Sequence, residues 1–157
     1  MIAETTAHHR DVIMAMLADS GQFDADGLAH VGETLDAHLS SPEEAIWLTA
    51  LADDGEPVGV AYCTPEPLTS GTWNLLMLWV KAGHEGNGYG RALVGAVESR
   101  IAASEARLLI VETSRLPEFE GARAFYQRCG FSLEAEITDF FAEGDDKLIY
   151  TKREIAR

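Results

Sequence analysis

Apolar residues recur along this chain with two different periods. Val12, Ile13, Met16 and Leu17 fall at helical spacing within residues 7–19, and Leu28, Val31, Leu35 and Leu39 repeat that spacing in a second helix. Ser40-Ser41-Pro42 ends the second helix, because a proline ring cannot continue it. The period then drops to two. Residues 45–52 read as a strand, Asp53-Asp54-Gly55-Glu56 as a turn, and residues 58–64 as its hairpin partner. In that partner Val58, Val60 and Tyr62 alternate with Gly59, Ala61 and Cys63. Pro65, Pro67 and Ser70-Gly71 make a loop, and residues 73–80 are apolar enough for a central strand. A glycine-rich turn runs from Gly83 to Gly90, and Leu93, Val94, Val97 and Ile101 form the next helix stripe. Residues 108–113 are another strand. The following helix carries Glu118 and Glu120 in its first turn, where the macrodipole favours acids, and ends at Arg128 before a capping Gly130. Residues 131–137 and 148–151 close the chain as two strands around a turn at Gly144-Asp145-Asp146.

The order helix, helix, hairpin, strand, helix, strand, helix, hairpin predicts an α/β chain with a mixed sheet flanked by helices. The unit from Trp73 to Thr113 should be a right-handed crossover. At 157 residues, without repeats or a linker, the expectation is a single domain over residues 1–157.

Charge narrows the function. The chain has 12 Lys and Arg against 26 Asp and Glu, a formal net charge of −14. That excess argues against a duplex nucleic-acid binder and against an anionic membrane surface, which both need cations. An acidic field attracts cationic partners such as amines, although it also serves solubility alone. Cys63 and Cys129 form no metal or disulfide pattern, and no metal is expected. No run approaches the ~18 apolar residues of a membrane span. The first residues lack a basic region followed by an apolar one, so no signal peptide is expected and the localisation expected is cytoplasmic.

The densest chemistry lies where the apolar strand meets the glycine turn. Gly83, Gly86, Gly88 and Gly90 precede a helix whose first N–H groups lack acceptors, an arrangement that binds phosphates. The turn is neither a P-loop, lacking Gly-Lys-Ser/Thr, nor a G-x-G-x-x-G dinucleotide fingerprint. Read alone, it also fits a turn that merely needs glycine.

Two segments together carry a family resemblance. Glu85-Gly86-Asn87-Gly88-Tyr89-Gly90 resembles the pyrophosphate loop Gln/Arg-x-x-Gly-x-Gly/Ala of the GNAT N-acetyltransferases. Residues 122–131, with Ala122, Phe125, Tyr126, Gly130 and Phe131, are similar to that family's Ala-x-x-Leu/Phe-Tyr-x-x-x-Gly-Phe segment. The resemblance covers roughly residues 7–152 and is strongest from Trp73 to Phe131. It implies the acyl-CoA N-acyltransferase fold: a mixed, mostly antiparallel sheet with about four helices and a first strand that is short or absent. It further implies acetyl-CoA as co-substrate, a primary amine of a small molecule or peptide as acceptor, direct transfer in a ternary complex, and a homodimer. The pantetheine arm would lie along the backbone of Leu78, Trp79 and Val80, and N–H groups near Val80 would hold the oxyanion. The pyrophosphate would sit over Glu85, Gly86, Asn87, Gly88, Tyr89, Gly90 and Arg91. Phe119 and Arg123 would border the cofactor, and Tyr126 would protonate the departing thiolate.

Three positions depart from the family pattern. Glu85 stands where Gln or Arg is usual, Asn87 replaces a frequent Lys, and Phe119 replaces a frequent Asn. The first two remove positive charge beside a pyrophosphate, so weaker CoA affinity is expected, with Lys81, His84, Arg91 or Arg123 as substitute cations.

Glu112 is the leading candidate for the base, because burial near the strand split would suit proton abstraction; the same carboxylate also fits a structural partner of Thr113, Ser114 or an arginine. Asp139, Glu66 and His84 are weaker candidates. His8-His9, Asp53-Asp54 and Asp145-Asp146 read as solvated or turn residues, and Cys129 as packing. Trp79 could border the pantetheine. The alternative reading is a catalytically inactive CoA-binding or protein-interaction domain of the same fold.

Overall fold

The period-two segments assemble into one twisted sheet of seven strands in the computed structural model, which describes residues 1–42 and 44–155. The last two residues of the expected 1–157 domain lie outside the described ones. The strands are β1 Ile2–Glu4, β2 Ile46–Leu51, β3 Pro57–Pro65, β4 Thr72–Val80, β5 Leu108–Ser114, β6 Ser132–Ala142 and β7 Asp145–Lys152. Their order is β1-β2-β3-β4-β5-β7-β6, and all neighbours are antiparallel except β4 and β5. The helices are α1 Arg10–Asp19, α2 Ala25–Ser40, α3 Tyr89–Ala102 and α4 Glu120–Arg128, the last preceded by a 3-10 turn at Pro117–Phe119. The mixed sheet, the four α-helices among the described residues and the three-residue first strand match the fold expected from the sequence.

Strand alternation divides the core between the two faces of the sheet. Trp47 and Val60 meet Ile13, Met16, Leu17, Val31 and Leu35 of α1 and α2 on one face. Leu48, Ala50, Val58, Leu75, Leu109 and Val111 meet Leu93, Val94, Val97 and Ile101 of α3 on the other. Asp24 caps α2 by accepting from Gly27 N–H at 2.7 Å, and Arg10 clamps α1 to α2 through both oxygens of Asp36. At Gly59 an added Cβ would meet the Trp79 carbonyl at 3.1 Å and Leu93 at 3.2 Å, so the missing side chain lets α3 settle on the sheet.

The closing hairpin differs from the expected one. Its turn is at Glu143-Gly144, and Asp145 and Asp146 begin β7 instead of forming the turn. Their carboxylates find partners outside the turn. Asp145 accepts from the Ser114 hydroxyl, and Asp146 accepts the Asp139 N–H at 2.9 Å. β6 bulges between Ile137 and Ala142, with Asp139 at φ +56°. This edge strand is exposed along its whole length.

One ion pair joins three elements. Lys152 Nζ on β7 lies 2.6 Å from Glu98 Oε1 on α3 and donates to the Cys129 carbonyl, at the end of α4, at 2.8 Å. Both side chains are largely buried. Lys152→Ala therefore leaves the Glu98 carboxylate desolvated without its ammonium, and should lower unfolding stability by about 3 kcal/mol in urea titrations. Lys152→Met combined with Glu98→Leu should recover most of that loss.

Two buried acids make a second stability prediction. Burial pushes the Cys63 thiol from an ordinary 9.0 and the Tyr126 phenol from an ordinary 10.0 up to about 12 each. Both are neutral when protonated, so the unfolded chain releases these protons first. Their contribution is complete below about pH 9 and is lost as pH rises toward 12. Chemical denaturation between pH 8 and 12 should show this decline. Cys63→Ala should flatten the part that starts near pH 9, and Tyr126→Phe the part that starts near pH 10.

Candidate active site

β4 and β5 run side by side only at their beginnings. Thr72, Trp73, Asn74 and Leu75 pair with Leu108, Leu109, Ile110 and Val111, and beyond this the two strands diverge. At the same level β4 carries an extra residue. Tyr62 faces Met77 while Cys63 faces Leu75, so Leu76 is bulged out of the β3 ladder. The gap between the two strands starts at this point and runs toward the C-terminal end of β4 as a cleft.

The antiparallel ladder decides which backbone groups line that cleft. Lys81 N–H donates to the Val58 carbonyl at 2.8 Å, so Lys81 and Val58 are a hydrogen-bonded pair. Such pairs alternate with non-bonded ones. Trp79 with Val60 and Met77 with Tyr62 are then bonded pairs, whereas Val80 opposite Gly59 and Leu78 opposite Ala61 turn their N–H and C=O groups the other way. Those groups face the cleft, where β5 has moved off. The backbone expected to be free at Leu78, Trp79 and Val80 is thus free at Leu78 and Val80 only. Trp79 spends its N–H and C=O on β3.

The cleft leads into the turn before α3. Gly83, Gly86 and Gly88 have φ of +85°, +78° and +87°, and no heavy atom lies within 4 Å of an added Cβ at any of them. Gly88 is the N-cap of α3, and Tyr89, Gly90 and Arg91 form its first turn, whose N–H groups have no acceptor inside the helix. Gly90 has a different reason to be glycine: a Cβ there would press on Phe125 of α4 at 3.2 Å. The two side chains that depart from the family pattern fold back on the turn. Glu85 Oε2 accepts the Gly83 N–H at 3.0 Å, and Asn87 Nδ2 donates to the His84 carbonyl at 3.2 Å. Both brace the loop.

The second segment is a helix ending of defined geometry. Gly130, at φ +93°, donates its N–H to the Gln127 carbonyl, and Phe131 donates to the Tyr126 carbonyl, both at 3.0 Å. This is the Schellman closure, and Phe131 packs edge-on against Tyr126 at 5.8 Å, the hydrophobic contact that accompanies it. Phe125 thus reaches the N-terminal turn of α3 while Tyr126 turns into the core beside Phe131 and Tyr150. Burial raises the Tyr126 phenol to about 12, so it holds its proton at neutral pH. No partner for its hydroxyl is found among the described residues, yet that oxygen is not among the fully buried unpartnered atoms. It is an available donor at the surface of the core.

The proposed cations are more committed than the sequence implied. Arg91 donates to the Arg128 carbonyl at 2.9 Å. Arg123 donates to the carbonyls of Ser114 at 2.8 Å and Leu116 at 2.9 Å, which fixes α4 to the end of β5. Phe119 is the half-buried N-cap of α4. Lys81 is exposed at the end of β4, beside the turn.

The base candidates are scattered. Leu109 and Val111 face α3, so Glu112 faces the α1–α2 side. There it is ion-paired with Lys147 Nζ at 3.0 Å and its side chain is 29% exposed, so it has a structural partner, a lysine of β7 where Thr113, Ser114 or an arginine was expected. Lys147 also lies 4.0 Å over the ring of Phe140. Asp139 accepts the Gly144 N–H within its own hairpin, Glu66 accepts from Asn74, and His84 stays in the glycine turn. Sequence reasoning missed a groove of about 540 Å³ on the α1–α2 face, between α2 and the rings of Trp47 and Tyr62. Its signal was the polar spacing His30, Glu33, Thr34, His38 on a helix otherwise striped for the core.

Comparison with known proteins agrees with this geometry. The model of the acetyltransferase (GNAT) family matches residues 14–131. A GNAT-family protein from Desulfovibrio desulfuricans superposes with a TM-score of 0.91 at 30% identity, covering 99% of both chains. An aminoglycoside 6'-N-acetyltransferase solved with coenzyme A has a TM-score of 0.78 at 18% identity, over 100% of this chain and 98% of that one. A ribosomal-protein-alanine N-acetyltransferase from Brucella melitensis has 0.77 at 18%, over 98% and 99%. These last two share the fold. No curated protein matches the sequence. The match across residues 14–131, together with the end-to-end likeness to the Desulfovibrio protein, means that the chain belongs to the GNAT acetyltransferase family and is, by that membership, an N-acetyltransferase.

Proposed function

We propose that the protein transfers an acetyl group from acetyl-CoA to a primary amine by direct attack within a ternary complex. The observation that carries this reading is the continuous path from the open β4 edge at Leu78 and Val80 to the N-terminus of α3. The residues present fit the co-substrate. An open strand edge pairs with the amide groups of an extended arm such as pantetheine. A helix N-terminus approached through Gly86 and Gly88 accepts a pyrophosphate on backbone N–H groups, with no Cβ in the way. Glu85 and Asn87 do not defeat this, because both are turned onto the loop itself.

When bound, the thioester supplies an acetyl carbon open to attack and a thiol as leaving group. The N–H groups of the β4 edge stabilise the oxygen on which negative charge develops. Tyr126 donates its hydroxyl proton toward the departing sulfur; its raised pKa makes it a donor at every physiological pH. Glu112, with Lys147, stands on the face from which the amine arrives and takes up the ammonium proton through water. Arg91 and Arg123 hold α3, α4 and β5 together around the cleft, and Arg91 adds charge beside the pyrophosphate.

Thermal unfolding tests the cofactor site. Acetyl-CoA at a hundred times its Kd adds about 2.7 kcal/mol, a rise of about 5–11 °C at roughly 2–4 °C per kcal/mol. NAD should give none. Gly88→Ala forces a side chain into φ +87° and should abolish most of the acetyl-CoA shift. Tyr126→Phe should lower kcat by at least about 100-fold in a thiol-release assay while acetyl-CoA still raises the melting temperature. An unchanged kcat removes Tyr126 from the chemistry.

A further inference from the structure

Eight large apolar side chains are exposed among the described residues, and four of them, Leu133, Ile137, Phe140 and Phe141, lie on β6 at 43–51% exposure. Apolar residues scattered singly over a surface need no explanation, but half of them on one strand do. The four do not share a face. Leu133 stands opposite Tyr150, which belongs to the α3 side of the core. Ile137 stands opposite Lys147, and Lys147 Nζ lies 4.0 Å over the Phe140 ring, so these two belong to the α1–α2 side. Phe141 meets Phe140 edge to face at 5.0 Å. A partner stacked on one face of the sheet would cover only part of this row. A strand laid along the edge reaches both faces.

β6 is also an open edge. It pairs with β7 on one side and, among the described residues, with no strand on the other. Edge strands are commonly guarded by lysine, by proline or by shortness; β6 has eleven residues and contains neither Lys nor Pro. Its guards are two bulges, at Glu134 and between Ile137 and Ala142, which break the regular run of free backbone groups. Side chains therefore carry more of any contact here than backbone pairing does. The charges on the strand come in pairs. Arg153 donates to Glu134 at 3.1 Å, and Arg115 Nε donates to Glu136 at 2.7 Å, with all four side chains partly exposed. Asp139 accepts the Gly144 N–H. On a chain of net charge −14, this edge thus offers both signs side by side. A purely cationic partner meets two guanidinium groups here, and a purely anionic one meets two carboxylates. A second copy brings both signs at once, and two-fold symmetry makes every Arg–Glu contact occur twice.

We propose that β6 is the contact strand of a two-fold homodimer, in which a second copy lays its own β6 antiparallel along this edge. The contact buries Leu133, Ile137, Phe140 and Phe141 of both copies and lets Arg115 and Arg153 reach Glu136 and Glu134 of the partner subunit. This assigns a surface to the homodimer expected from the sequence, and it is independent of the acetyl-transfer reading. Eleven residues are about half of the roughly 20–30 a side of a standard interface, so association is weak, with a Kd of about 10 μM.

The test is sedimentation velocity of the full chain from about 1 to about 200 μM, at about 0.15 M salt so that screening confines surface charges to about 8 Å. The mean mass should rise from that of one 17.1 kDa chain toward that of two. Ile137→Lys combined with Phe141→Lys should raise the Kd at least about 30-fold. Both positions are exposed, so the far-UV circular dichroism spectrum should stay that of the unmodified chain. Leu68→Lys changes an even more exposed apolar residue away from β6 and should leave the dimer intact. Charge reversal gives an independent readout. The variant Arg115→Glu with Arg153→Glu and the variant Glu134→Arg with Glu136→Arg should each fail to self-associate, yet associate when mixed. A chain monomeric up to about 200 μM, a dimer indifferent to the two β6 lysines, a dimer lost in Leu68→Lys, or charge variants that stay apart on mixing overturns the proposal.

Discussion

A strand inside a sheet must pair its backbone on both sides, and the C-terminal half of β4 does so on one side only. Its ladder with β3 is continuous apart from the bulge at Leu76, while its parallel ladder with β5 stops at Leu75 and Val111. The unmet N–H and C=O groups of Leu78 and Val80 are tolerated because the cleft is open to water or to a ligand backbone. Almost everything else about the site follows from this split. The open edge of β4 runs on into the glycine turn, and beyond the turn α3 and α4 meet at Gly90 and Phe125.

That convergence explains why the two recognisable segments work together. Gly90 lacks a Cβ because Phe125 occupies the space, and Tyr126 points inward because the Gly130–Phe131 closure fixes the last turn of α4. The residues that make the family visible thus do structural work in their own right. They bring the N-terminus of α3 against Phe125 and set Tyr126 beside Phe131 and Tyr150. The two charge-reducing positions, Glu85 and Asn87, fit the same logic. Their side chains hydrogen-bond within the loop, and the first N–H groups of α3 stay without an acceptor inside the helix.

How far the chain could be read in advance varied with the range of the interactions. The helical stripes of α2 and α3 and the alternation in β3 are local signals, and each element came within a few residues of its reading. Asp145 and Asp146 looked like turn residues because short acids favour turns. Ser114 and Asp139, remote or merely nearby in sequence, gave them partners in the strand. Glu112 fitted either a base or a structural partner of Thr113, Ser114 or an arginine; Lys147, 35 residues away, makes it half of an ion pair. The α2 groove was invisible because it needs Trp47 and Tyr62 from a hairpin to meet a polar seam on a helix.

By itself, the amino-acid order determined the element sequence, the mixed sheet, the family and the glycine turn, because periodicity, capping and φ-demanding glycines are properties of neighbouring residues. Which β4 carbonyls and amides are free and which arginines are already engaged were decided by tertiary structure alone. The first depends on strand register, where a shift of one residue would turn those groups to the opposite side, and the second on contacts between residues distant in the chain.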